Sequence, residues 1–181
     1  MRIKMRLAAV SVAALAAAAL SATAGAGTIP VSGTQTVIDE QTGQYEMHGS
    51  LVGKWNVTAF KELYKNPSAY AARGTEKFSG CIDVDASGTC EATEPTGTMS
   101  FAFIYWATFD PKTSALIRGG CVHPVSDGTG GLAGAKGIIL MKDTPVGNGV
   151  RTTYTGTLTI PSVRNPAGRA LAGRSPQGCG R

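Results

Sequence analysis

The sequence predicts an all-β antiparallel barrel. Three observations lead there. Five segments beyond residue 74 are rich in β-branched and aromatic residues and are separated by Gly, Pro, Asp or Asn, the punctuation of successive strands. No stretch downstream of the first 24 residues sustains a helical period. The longest segment, GTMSFAFIYWATF (97–109), sets Met99, Phe101, Phe103, Tyr105 and Phe109 on one face and Ser100, Ala102, Ile104, Trp106 and Thr108 on the other. Both faces are partly apolar, as expected when one lines a barrel interior and the other meets a covering element or partner. Closure removes the edges that so many strands would otherwise expose.

In chain order, MRIKMR is basic, the next 14 residues (LAAVSVAALAAAAL) are apolar, and small residues in an Ala-x-Ala pattern follow. Residues 1–24 therefore read as a secretory signal peptide cleaved after Ala24, with Ala26 as the alternative, and the expected location is secreted, extracellular. The run is too short to span a membrane, so no membrane contact is expected once it is removed. The 157 residues left suit one domain. Residues 25–44, polar and Gly/Thr-rich, read as a loose lead-in or a first edge strand. The barrel domain is placed at 45–160. Tyr45, Met47, Leu51, Trp55 and Val57 recur at even spacing, which gives one strand or two joined by a Gly turn. FKELYKNPSAYAAR (60–73) breaks that register around Asn66-Pro67-Ser68 and reads as a connecting loop with one helical turn. Strands follow at 75–84, 97–109, 114–122, 135–142 and 150–160, and residues 161–181 form a basic Pro/Gly-rich tail.

The formal charge of +5 misleads. Without the leader the chain has 14 basic against 12 acidic residues, and Arg164, Arg169, Arg174 and Arg181 sit in the tail, so residues 25–160 carry 10 against 12. Nucleic acid is therefore not an expected partner. The four cysteines follow an export signal and are expected to be oxidised. Cys81 and Cys90 bracket Asp-Ala-Ser-Gly and suit a bridge across a hairpin; Cys121 and Cys179 pair by elimination.

DGTGGLAGAKGIILM (127–141), after a His-Pro-Val loop and before a Thr-rich strand, resembles the glycine-rich segment of allene oxide cyclase and dirigent barrels, shared by secreted bacterial proteins of similar layout. The resemblance covers residues 96–160, with Leu132 where those families carry Phe. It implies an eight-stranded barrel with an apolar interior. Here Gly128, Gly130, Gly131, Gly134 and Gly137 shape a turn rather than cradle phosphate, since no Lys-Ser/Thr follows and the next segment is a strand. Two functions compete. The preferred one is a secreted non-enzymatic barrel that binds a small apolar ligand or a partner, because no catalytic constellation is visible. The alternative is an isomerase or cyclase acting on a hydrophobic substrate, as the resemblance to allene oxide cyclase implies. Oligomeric state is left open.

Tyr105, Arg118 and His123 are the candidate pocket residues, able to point polar groups into a barrel. The stretch CIDVDASGTCEATE (81–94) carries the other candidate: Asp83, Asp85, Ser87, the Thr89 carbonyl and Glu94 fall at calcium-loop positions around Gly88. Its flanks read as strands, and Asp, Ser and Gly are also what a hairpin turn requires, so a stapled turn without a cofactor is preferred and calcium is the alternative.

Overall fold

The computed structural model describes residues 26–164. They form a closed barrel of eight antiparallel strands, each hydrogen-bonded to its sequence neighbours, with β1 sealing against β8. The strands are β1 (Ala26–Asp39), β2 (Gln44–Gly49), β3 (Leu51–Asn66), β4 (Ala69–Ile82), β5 (Thr96–Phe109), β6 (Leu116–Gly130), β7 (Lys136–Val146) and β8 (Gly149–Arg164). Up-and-down order sorts the connections by end. Residues 40–43, 67–68, 110–115 and 147–148 lie at one end; Ser50, 83–95 and 131–135 lie at the other.

Three expectations need correcting. The lead-in at 25–44 is a full barrel strand, because β1 pairs with β2 and with β8 and closes the sheet. Its alternation is real but muted: Gly27 and Val31 are buried while Thr28, Pro30, Ser32 and Thr34 face solvent. A small residue, Gly33, is required inside, since a β-carbon there would run into the His48 carbonyl and lie 2.6 Å from the Tyr154 hydroxyl. The 60–73 segment is no loop either. It forms the tip of the β3–β4 hairpin, turning at Pro67-Ser68, where the Asn66 side chain accepts hydrogen bonds from the Ser68 and Ala69 amides. Register shifts between Val57 and Ala59 and between Glu62 and Tyr64 reset the side-chain phase twice, which is why the period is lost in the sequence. The barrel accordingly spans 26–164 rather than 45–160, and β8 runs past Ile160. The signal peptide, most of the tail and Cys179 lie outside the described residues.

The lower half of the barrel is filled. Met47, Leu51, Trp55, Phe78, Met99, Phe101, Ile139, Leu158 and Ile160 pack there with no exposed surface, and Trp55 stacks on Phe101 at 4.4 Å between ring centroids. The glycine-rich segment finishes that end. β6 runs to Gly130, and the turn beyond it, held by hydrogen bonds from the Leu132 amide to the Thr129 carbonyl and from the Ala135 amide to the Leu132 carbonyl, folds inward and buries Leu132 completely. Gly130 and Gly134 take left-handed φ values of 61° and 71°, where a β-carbon would be strained, so these glycines shape the turn. Across the same end, the Tyr154 hydroxyl accepts from the Leu51 amide at 2.8 Å and donates to the His48 carbonyl at 3.2 Å, tying β8 to the β2–β3 corner.

Candidate functional site: an open-ended cavity with a buried Glu–His pair

Above the Trp55–Phe101 stack the interior is not filled. A cavity of about 1380 Å³ opens at the end formed by the 40–43, 67–68, 110–115 and 147–148 connections. Its wall mixes apolar and polar groups: Tyr45, Val57, Phe103, Tyr105, Phe109, Leu116, Cys121 and Met141 alongside Glu76, His123, Asp143 and Thr152.

Strand parity puts the polar groups at the deep end. On β4, Ala72, Glu76 and Phe78 are all buried while Arg73, Thr75 and Lys77 are exposed, so Glu76 points inward because it shares Phe78's face. On β6, Cys121 and His123 point inward and Val122 outward. Glu76 and His123 are 7 % and 1 % exposed, and Glu76 Oε2 stands 2.9 Å from His123 Nε2. Despite that approach, neither Glu76 Oε2 nor His123 Nδ1 has an aligned hydrogen-bond partner among the described residues. The contact is a close carboxyl–imidazole approach, held by packing. The imidazole stands edge-on to Trp55 at 5.3 Å and to Phe101 at 6.4 Å, which holds it at the cavity floor.

Nearer the mouth, Asp143 accepts from the Thr152 hydroxyl at 2.6 Å and faces the Tyr105 hydroxyl. Burial, then the Asp143 charge and its hydrogen bond, drives the Tyr105 hydroxyl far above the ordinary tyrosine range, so it stays a hydrogen-bond donor. Burial and the Glu76 charge raise Tyr45 in the same way. Burial, followed by the Glu76 and Asp143 charges, likewise keeps the Cys121 thiol protonated and chemically quiet. The wall thus offers two neutral donors, two carboxylates and one inert thiol.

Of the three candidate pocket residues, the structure brings Tyr105 and His123 together and leaves Arg118 out. Arg118 sits on the outer face with its guanidinium 5.7 Å from the Trp106 ring centre. The reason is parity: Cys121 and His123 hold the inward positions of β6, and Arg118, an odd number of residues from each, faces out. Glu76 and Asp143 were not singled out in the sequence, Tyr45 was read only as a strand residue, and Cys121 only as half of a disulfide. Glu76 was findable there, because GTEKF sets it two residues before a buried-type Phe with charged Lys77 between.

The expected Cys81–Cys90 bridge is present. Of the expected Cys121–Cys179 bridge, Cys179 lies outside the described residues; among the described residues Cys121 is a buried thiol that lines the cavity.

The acidic loop lies at the opposite end from the mouth. One carboxylate oxygen from each of Asp83, Asp85 and Glu94 lies within 4.8 Å of the others, which is the convergence the calcium spacing implies. Those oxygens already serve the turn. Asp83 accepts from the Ser87 and Gly88 amides at 3.2 and 2.6 Å, and Glu94 accepts from Val84 and Glu91 at 2.8 and 3.0 Å. The Ser87 hydroxyl donates to the Thr89 carbonyl rather than turning toward the acids. Partial burial alone would raise Asp83; the Gly88 amide, Asp85 and the Ser87 and Ala86 amides outweigh it and hold the carboxyl below its usual range. Within these residues the acids act as caps of a disulfide-closed turn.

The chain matches no family model and no curated protein sequence.

Proposed function

We propose that this is a secreted barrel that takes up a small, predominantly apolar ligand through its open end and meets the ligand's polar group with Glu76, Tyr45 and Tyr105. The observation that carries the reading is the cavity: about 1380 Å³, open at one end, walled by aromatic and aliphatic side chains and floored by a buried Glu76–His123 pair. Its size exceeds the roughly 300–1,000 Å³ typical of ligand pockets, and a few convergent polar groups in an apolar wall are what orient a ligand. Secretion rests on the leader pattern and agrees with the Cys81–Cys90 disulfide, which persists in an oxidising compartment.

The same carboxylate favours a second reading, an isomerase or cyclase acting on a hydrophobic substrate, as the resemblance to allene oxide cyclase implies. A carboxylate beside a histidine, screened from bulk water and facing the ligand space, is placed for proton transfer. That reading requires turnover, whereas the first requires only binding.

Titration with a neutral fluorescent naphthylamine tests the container. Gly119 lies beside the cavity wall, and a β-carbon there would meet Asp143 at 2.9 Å and the Tyr105 hydroxyl at 3.0 Å, both movable side chains. Gly119→Leu should therefore intrude on the wall beside Asp143 and Tyr105 without forcing the backbone and weaken dye binding. Dye that does not bind the wild type rules the container out.

A further inference from the structure

The two ends of the barrel differ in a way that the cavity does not require. Every hairpin at the open end presents large apolar side chains to solvent: Ile38 before the first turn, Phe60 and Leu63 on the second, Ile117 on the third, Val146 and Val150 on the fourth. Ile38, Leu63 and Ile117 are 51 %, 50 % and 57 % exposed and do not line the cavity, so ligand contact does not account for them. At the closed end Val84 is the exposed large apolar residue among the described connections. The apolar collar is continuous with the cavity wall, because Phe60, Val146 and Val150 belong to both. Lys61, Lys65, Lys112 and Arg151 stand among these side chains, opposed by Glu40 and Glu62, a mixed fringe suited to zwitterionic head groups. Large apolar side chains exposed on every hairpin around one mouth point to a contact face.

We infer that the open end of the barrel docks on a phospholipid surface, the collar entering the head-group boundary so that the ligand passes between lipid and cavity without crossing water. The inference rests on the container reading, since an apolar ligand has its reservoir in lipid. It departs from the expectation of no membrane contact, which was drawn from the lack of a spanning segment; a peripheral contact needs none. Among the described residues no helix is long and apolar enough to cross a membrane. A mouth-to-mouth pair of chains is the competing occupant, but it would seal both cavities.

The test is flotation of the purified secreted chain with phosphatidylcholine vesicles. Wild type should float with the vesicles; Ile38→Ser/Leu63→Ser/Ile117→Ser should lower the partition by about tenfold to a hundredfold, and Val84→Ser should not change it. A polarity-sensitive dye on Leu63→Cys should shift to the blue with vesicles, and the same dye on Val84→Cys should not. Absence of wild-type flotation overturns the proposal. So does loss of flotation in Ile138→Ser, on the outer wall, with the collar variant unaffected. A wild-type dimer in free solution that the collar variant dissociates assigns the face to a second copy instead. Naphthylamine binding without vesicles separates the two readings: the collar variant should retain it, and flotation without any dye binding leaves the collar standing while the container falls.

Discussion

Tyr154→Phe removes a single oxygen from the filled end of the barrel. In the wild type that oxygen accepts from the Leu51 amide at 2.8 Å and donates to the His48 carbonyl at 3.2 Å, with Tyr154 and Leu51 essentially unexposed. Phenylalanine keeps the packing, so the cost is the orphaned groups. A buried amide left without a partner costs about 1–3 kcal/mol, corresponding to a melting-temperature loss of roughly 3–10 °C for a domain of this size. The pH dependence adds an independent signature. Burial raises the Tyr154 hydroxyl from its ordinary value of 10 to about 12, with the Leu51 hydrogen bond pulling back and the Asp83 charge adding to the rise. A folded-state value above the unfolded one stabilises the fold fully below pH 10, and the contribution is lost as pH rises through about 12. The gap in stability between wild type and Tyr154→Phe should therefore be widest near neutrality and narrow between pH 10 and 12. Urea melts at pH 7, 10 and 11.5 measure it. Equal stability at pH 7, or a gap constant across that range, would refute the argument that this hydroxyl ties β8 to the β2–β3 corner.

Three further outcomes follow from the disulfide end and the cavity wall. Because the Asp83 and Glu94 oxygens are engaged by amides, melting curves in millimolar calcium and in chelator should coincide, whereas Asp83→Ala should lower the melting temperature in both; a calcium-dependent rise lost in Asp83→Ala would assign the cation instead. Asp83 also gives the loop an acid limit: its lowered pKa supplies stability above about pH 4 that is lost as pH falls through the folded value. Peptide mapping without reduction should recover Cys81 joined to Cys90 and Cys121 as a thiol that alkylates only after denaturation; a Cys121–Cys179 fragment would restore the pairing by elimination.

Strand chemistry was readable where the pattern is strong. Met99, Phe101, Phe103 and Tyr105 were assigned to one face of β5 from spacing alone, and all four line the interior, because side-chain period is a local property of extended backbone. The Asp-Ala-Ser-Gly turn closed by Cys81 and Cys90 was readable for the same reason, and so were Gly130, Gly134 and Gly137, whose positive φ values are a local demand. Where local cues conflict, the reading fails. β1 looked loose partly because Gly33 must stay small against Tyr154, a constraint set by a residue 121 positions away in sequence. The β3 tip looked like a loop because two register shifts cancel its period.

By itself, then, the sequence determined the class of fold, the stapled turn and the inward face of the long strands, since each depends on residues a few positions apart. Only the tertiary structure decided that β1 closes the barrel, that Leu132 plugs one end while the other stays open, and that Glu76 meets His123 47 residues later in the chain. The reason is physical. A closed sheet converts parity on each strand into proximity across an interior, and that conversion depends on register and strand number. Neither is encoded by any single segment.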